Sequence, residues 1–268
     1  MIDQITNPGA KLGQAIGEKM EKALDDRLRI LTEDLGHHYL CSGSVIGGKK
    51  KKVINLYDKY GTVYQVDSVI VNPDMQPLVV FESKYIRYKK HNRDKGSWIC
   101  TTHQAVRSHY QSIRKFIAVL AGRWSAPSLA MMRSQNIVIY EVGFEAICDL
   151  LEGHNIKFDW DEKDRNSAIH AYMTYEELPE AAKDEIGEQM IKGVIEPLSE
   201  TVRNNLSPTS LEEIEKVFVE LHSNLGAIRE IEFDSVENAM DFLDDVDSSV
   251  FDVADTVKLT DPPQFQGT

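Results

Sequence analysis

Two short apolar segments carry an aspartate, a glutamate and a lysine at a spacing that could hold a cation and a reactive water. The first reads Val63-Tyr64-Gln65-Val66-Asp67-Ser68-Val69-Ile70-Val71, and the second Leu78-Val79-Val80-Phe81-Glu82-Ser83-Lys84. Asn72-Pro73-Asp74-Met75-Gln76-Pro77 joins them with the composition of a turn. Side chains alternate faces along a strand, so Glu82 and Lys84 point the same way. Paired as a hairpin, the two strands bring Asp67 beside them. Two carboxylates next to an ammonium suit a hard divalent cation and an activated water. A plain surface or interface ion cluster, with Asp67 and Glu82 paired with Lys84 in a salt bridge, uses the same residues. It does not explain acids within apolar strands, where charge burial is costly unless a metal or partner compensates.

The pattern Asp67…Glu82-Ser83-Lys84 resembles the core of the PD-(D/E)xK nucleases, the restriction-endonuclease-like superfamily, over residues 10 to 142. Val66 stands where the family usually has proline. The resemblance implies an α/β fold, with a mixed central sheet flanked by helices. It implies Mg2+, with Mn2+ as a substitute, held by Asp67, Glu82 and the main-chain carbonyl of Ser83. Lys84 would orient or deprotonate the attacking water and offset charge on the phosphorus. Many members also have a first-helix glutamate that reaches the metal. Glu21 is the candidate here, with Glu18 second. Gln104 or His103, on a helix after the Glu-x-Lys strand, could assist. The implied activity is DNA phosphodiester hydrolysis by a metal-dependent endonuclease, as a restriction enzyme or the nuclease subunit of an antiphage system. A homodimer is compatible with that class.

Charge distribution agrees with a nucleic-acid substrate although the net charge is -13. Residues 49–134 hold 16 basic and 5 acidic side chains, whereas residues 135–268 hold 9 basic and 31 acidic. The basic block surrounds the Asp-Glu-Lys set, and a phosphate backbone needs such a surface. Lys49, Lys50, Arg87, Lys89, Lys90, Arg93, Lys95 and Arg107 are the candidate phosphate contacts. Tyr85, Tyr88 and Trp98 are placed to stack on opened bases, or simply to pack on the domain.

The elements that must position these residues are partly legible. Leu12, Ile16, Met20, Leu24, Leu28 and Leu31 recur at helical spacing, so residues 8–35 read as a helix with Pro8 at its start and Gly36 after its end. Residues 37–66 read as strands and turns, residues 85–100 as a basic connection and residues 101–121 as a helix. Residues 136–141 read as a buried strand, and 143–152 as a short helix. A nuclease core over 1–154 and an acidic, mainly helical region over 155–268 are expected. In the latter, helices are expected over 175–205, capped by Thr174, over 209–224, capped by Ser210, and over 235–243, with a strand over 228–233. The tail from 244 suits partner docking or disorder.

A rival reading is a catalytically silent DNA-binding or assembly subunit whose acidic half docks a protein partner. RNA is a third possible substrate. No run of 18 apolar residues marks a membrane span, the N-terminus lacks the pattern of a secretory signal, and three cysteines make no disulfide framework. A cytoplasmic protein with no membrane partner is the expectation. Gly43–Lys50 lacks the Ser/Thr of a P-loop, and His37, His38, Cys41, Cys100 and His103 do not have the spacing of a zinc finger.

Overall fold

The computed structural model describes residues 6–88, 92–161, 163–207 and 214–252. In chain order the elements are α1 (Pro8–Asp34), β1 (His38–Cys41), β2 (Val45–Ile46), β3 (Lys49–Lys50), β4 (Ile54–Tyr57), β5 (Val63–Val66), β6 (Ser68–Val71), β7 (Pro77–Ile86), α2 (Asn92–His109) and β8 (Lys115–Gly122). There follow α3 (Ala126–Arg133), β9 (Ile137–Gly143), α4 (Phe144–Glu152), α5 (Arg165–Glu177), α6 (Glu180–Ile191), α7 (Ile195–Leu206), β10 (Val217–His222), β11 (Ile228–Phe233) and α8 (Val236–Asp245). The fold is α/β, with a mixed five-stranded sheet in the order β1-β6-β7-β8-β9. β1 with β6 and β6 with β7 pair antiparallel, while β7 with β8 and β8 with β9 pair parallel.

The apolar stripe of α1 explains why the first layer assembles. Leu12, Ile16, Met20, Leu24 and Leu28 recur every four residues and are all buried. They pack on Ile70, Val79, Phe81, Ile117 and Val119 of the sheet, together with α4, α5, α6 and α7. A second core lies between the sheet and α2 and α3. Val80, Phe116, Ala118 and Leu120 meet Ile99, Val106, Leu129 and Met132 there, with Ile54, Leu56 and Val66 from the β4–β5 ribbon. Fully burying one such side chain stabilises by about 1.5–3 kcal/mol. Both faces of β7 and β8 are therefore covered, which is the usual setting of parallel strands.

Several sequence expectations change. The helix expected over 101–121 is instead α2, ending at His109, followed by β8. Phe116-Ile117-Ala118-Val119-Leu120-Ala121 is continuously apolar and buried on both faces, so the sheet claims it. The helix expected over 175–205 is three helices, broken at Leu178-Pro179 and around Gly193. Thr174 lies inside α5 and donates to the His170 carbonyl at 3.0 Å rather than capping. Within 209–224 the described part holds strand β10; Ser210 and the tail beyond 252 lie outside the described residues.

The chain divides at Pro208 into two units. Ile156, Phe158, Ile186, Leu198 and Val202 share the α1 core, so the expected boundary after 154 does not coincide with a break in packing. The second unit is the antiparallel β10–β11 hairpin with α8, where Phe233 and Phe242 pack with ring centres 5.2 Å apart. Among the described residues no helix is long and apolar enough to cross a membrane.

Candidate active site

Asp67 sits where the chain changes sheets. β5 pairs with β4, whereas β6 pairs with β1 and β7, and Asp67 is the single residue between β5 and β6. The β6–β7 ladder ends at Ser68 opposite Phe81, so Asp67 and Glu82 come next, at the point where the strands part. From Glu82 to Ile86, β7 keeps its ladder with β8 and has no β6 partner. Asp67 Oδ2 accepts from the Ser83 backbone N–H at 2.7 Å and so occupies part of that vacated edge. The N–H and C=O of a strand residue share an edge, which puts the Ser83 carbonyl on the same side.

Lys84 ties the set together. Its Nζ lies 2.5 Å from Asp67 Oδ2 and 2.6 Å from Glu82 Oε2. Glu82 is almost wholly buried, and its Oε1 has no hydrogen-bond partner. Burial pushes the Glu82 carboxyl up to about 8, with the Lys84 charge pulling against it and Asp67 adding to the push. Burial pulls the Lys84 ammonium down, but the Glu82 and Asp67 charges outweigh it and leave its pKa raised. Glu21 faces the same small pocket as Asp67, Glu82 and Ser83. Burial, then the Asp67 and Asp25 charges, push its carboxyl up to about 7.

The donor set fits a hard cation. It offers carboxylate and carbonyl oxygens, and the orphaned Glu82 Oε1 is a buried acceptor with nothing to accept from. Among the described residues no group of three or more His, Cys, Asp or Glu side chains forms a ready cage. The expected set needs only two carboxylates and one carbonyl, with water completing an octahedron.

A second layer of polar contacts escaped the sequence reading. The Tyr39 hydroxyl lies 2.7 Å from Asp25 Oδ1, to which it donates, and 2.7 Å from Ser68 Oγ. Arg29 Nη2 donates to Cys41 Sγ at 3.3 Å beside them. Ser68 adjoins Asp67, so the cluster anchors the departure of the chain. Asp25 stands one turn beyond Glu21 on α1, and that i, i+4 carboxylate pair was the available signal.

A cleft of about 920 Å³ opens alongside. Its walls include Gly13, Gly17, Glu18 and Glu21 of α1, Ser83, Tyr85 and Arg87 from β7 and just beyond, and Lys95 and Trp160. Arg87 is only 7 % exposed. Its guanidinium stacks 3.6 Å from the Trp160 ring centre, and Nη2 donates to the Trp160 carbonyl. The expected solvent-facing phosphate contact is thus a buried cation, although it still lines the cleft.

Other expected residues lie elsewhere. Gln104 is exposed on α2 and donates to Gln135 Oε1 at 2.5 Å, lining neither the small pocket nor the cleft. α2 packs on α3 and the β4–β5 ribbon, which turns Gln104 toward the end of α3 rather than toward the acids. His103 is buried against Phe116, ring centres 4.9 Å apart. Lys49 and Lys50 are exposed on β3, Arg93 and Lys95 on the first turn of α2, and Arg107 on its last turn. Lys89 and Lys90 lie outside the described residues.

No protein-family model and no curated protein matches this chain. A solved structure titled "Crystal Structure of Protein of Unknown Function AF1548" is similar over 69% of this chain and 98% of its own, at 11% identity and a TM-score of 0.31, a likeness too weak to carry an argument.

Proposed function

We propose that this chain is a metal-dependent phosphodiester hydrolase acting on DNA. The observation that carries the reading is the convergence of Asp67, Glu82, Ser83 and Lys84 where β6 and β7 part, with a buried Glu82 oxygen left unpartnered. Asp67 and Glu82, with the Ser83 carbonyl, would hold Mg2+, or Mn2+ in its place. When bound, the ion supplies Lewis-acid stabilisation of phosphoryl charge and lowers the pKa of a coordinated water. Lys84 supplies a fixed positive charge beside the reacting phosphate, and its ammonium orients the water. Glu21, with its carboxyl near neutrality, can hold or release a proton at the edge of the site. The basic excess of residues 49–134, from which Arg87 and Lys95 line the adjoining cleft, supports a polyanionic substrate.

The test is cleavage of plasmid and phage DNA with Mg2+, Mn2+ or EDTA, comparing wild type with Glu82→Ala and Lys84→Ala. Discrete bands lost in EDTA and in both variants support a sequence-specific endonuclease. A smear lost likewise supports a non-specific one. A role in host defence rests on the resemblance alone, and its own test is phage plaque counts in cells expressing wild type or Glu82→Ala.

One observation favours a second reading. Lys84 already pairs with both carboxylates, so the cluster holds together without a cation. A silent DNA-binding subunit, docking a protein partner through the acidic half, would keep such a cluster for stability. Binding without cleavage under any metal would favour it.

A further inference from the structure

The cleft beside the acids has walls that the hydrolytic reading does not use. It is contiguous with the acids, because Glu21 and Ser83 line both it and the small pocket that holds Asp67 and Glu82. Anything lying in the cleft therefore runs up to the reacting position. About 920 Å³ is near the upper end of enclosed ligand sites, roughly 300–1,000 Å³. That space admits a few nucleotides of one strand, not a paired helix.

The walls have the chemistry of a strand rather than of a groove reader. The Tyr85 ring packs directly on α1 at Gly13, where a Cβ would lie 2.8 Å from it, and this close approach sets one wall of the cleft. Arg87 lines the cleft, is more than nine-tenths buried, and keeps Nη1 without a hydrogen-bond partner. The guanidinium is stacked on Trp160 and Phe158, and its charge at the cleft wall favours an anion lying there. Lys95, exposed, lines the same cleft, as do the Tyr85 and Tyr88 rings. Cations interleaved with aromatic faces hold single strands irrespective of sequence.

We propose that this cleft seats an unpaired stretch of nucleic acid leading into the Asp67–Glu82–Lys84 site, so that the preferred substrate is single-stranded, or locally opened, rather than intact duplex. The inference rests on the hydrolase reading for its meaning but not for its measurement. A free nucleotide shares the same chemistry and is separated by competition.

The experiment uses the full chain carrying Glu82→Ala, in EDTA, with a fluorescein-labelled oligo-dT of about 12 nucleotides. Binding is followed by anisotropy against a blunt duplex of equal length, with dTMP as competitor. The single strand should bind about tenfold more tightly than the duplex, or better. Ala10→Trp, which places a bulky ring on an exposed cleft-lining position, and Lys95→Glu should each weaken single-strand binding about tenfold while the melting temperature stays put. Duplex bound equally well, or both variants binding like the parent, would overturn the proposal. Displacement by dTMP as readily as by unlabelled oligo-dT would also overturn it, in favour of a free-nucleotide site. Cleavage by the Glu82-intact chain with Mg2+ is scored separately. Its absence, with the binding pattern intact, would sink the hydrolase reading and leave the strand site standing.

Discussion

Asp67 accepts a hydrogen bond from the backbone N–H of Ser83 at 2.7 Å, so a side chain from the end of one strand takes a ladder position on another. The same Oδ2 receives Lys84 Nζ at 2.5 Å. One carboxylate oxygen thus fixes both the backbone and the ammonium of the Glu-x-Lys segment. Oδ1 has no such bond among the described contacts, and on the proposed reading it is the oxygen that would hold a cation.

Asp67→Asn separates these roles. The carboxamide oxygen can still accept from Ser83 and Lys84, but the charge facing Lys84 is lost, so stability should fall by about 1–2 kcal/mol without loss of the fold. The negative charge is gone, and cleavage should fall by about 10²–10³-fold or more. Thermal melts and plasmid cleavage on the same preparation check both halves. A fully active Asp67→Asn would remove Asp67 from the chemistry.

Glu82 gives a pH dependence with a definite sign. Its carboxyl is pushed up to about 8 from an ordinary value of 4.5, chiefly by burial. An acid raised in the folded state binds its proton more tightly when folded. Its contribution is full below about 4.5 and is lost as pH rises through about 8. Metal-free protein should therefore lose on the order of 3 kcal/mol between about pH 5.5 and pH 8.5. Glu82→Gln should flatten that slope. A metal ligand must be deprotonated, so Mg2+ should raise the wild-type melting temperature more at the higher pH and leave Glu82→Gln unmoved. Parallel slopes for the two proteins in EDTA would show that Glu82 ionises normally when folded.

His103 should act with the opposite sign. Burial, and then the Arg107 charge, lower its pKa to about 4 from 6.5. A base held neutral in the fold contributes stability above about 6.5, and this is lost as pH falls toward about 4. The loss should be on the order of 2 kcal/mol. Urea midpoints at about pH 7 and pH 5 should diverge for wild type and converge for His103→Leu, which keeps an apolar group against Phe116. Cleavage at pH 7 should survive that substitution, since His103 lines neither the small pocket nor the cleft.

The sequence made the acids and the lysine legible because polar residues in apolar strands are conspicuous. It also located α1, since a stripe every four residues reads without partners. It did not reveal the change of sheets at Asp67, because Val63 to Val71 reads as one unbroken strand-forming run with no glycine or proline in it, and only pairing with β4 or β7 divides it. Ile113, Ile117 and Leu120 match a helical period as well as a buried strand, and the choice belongs to β7 and β9 on either side. The cleft was hidden for a related reason. Arg87 meets Trp160 across 73 positions of sequence, and no local pattern encodes that contact.

Gly187 offers a test of how the helical layer is fixed to α1. A Cβ there would lie 2.4 Å from the Lys19 carbonyl oxygen and 2.7 Å from its carbon, both backbone atoms that cannot swing away. Three ion pairs span the same contact, Lys19 with Glu180 and Asp184, and Lys22 with Asp184. Their acids are well exposed, so they contribute little, while the close backbone approach depends on the missing side chain. Gly187→Ala must move α6 away from α1, at a cost of about 1–3 kcal/mol despite alanine's better helix propensity. Gly193→Ala, where nothing lies within 4 Å, should be nearly neutral and serves as the control. Because α1 also carries Glu21 and one wall of the cleft, Gly187→Ala should weaken single-strand binding along with stability, whereas the control should change neither. Equal melting temperatures for the two alanine variants would mean that the helices do not approach this closely in solution.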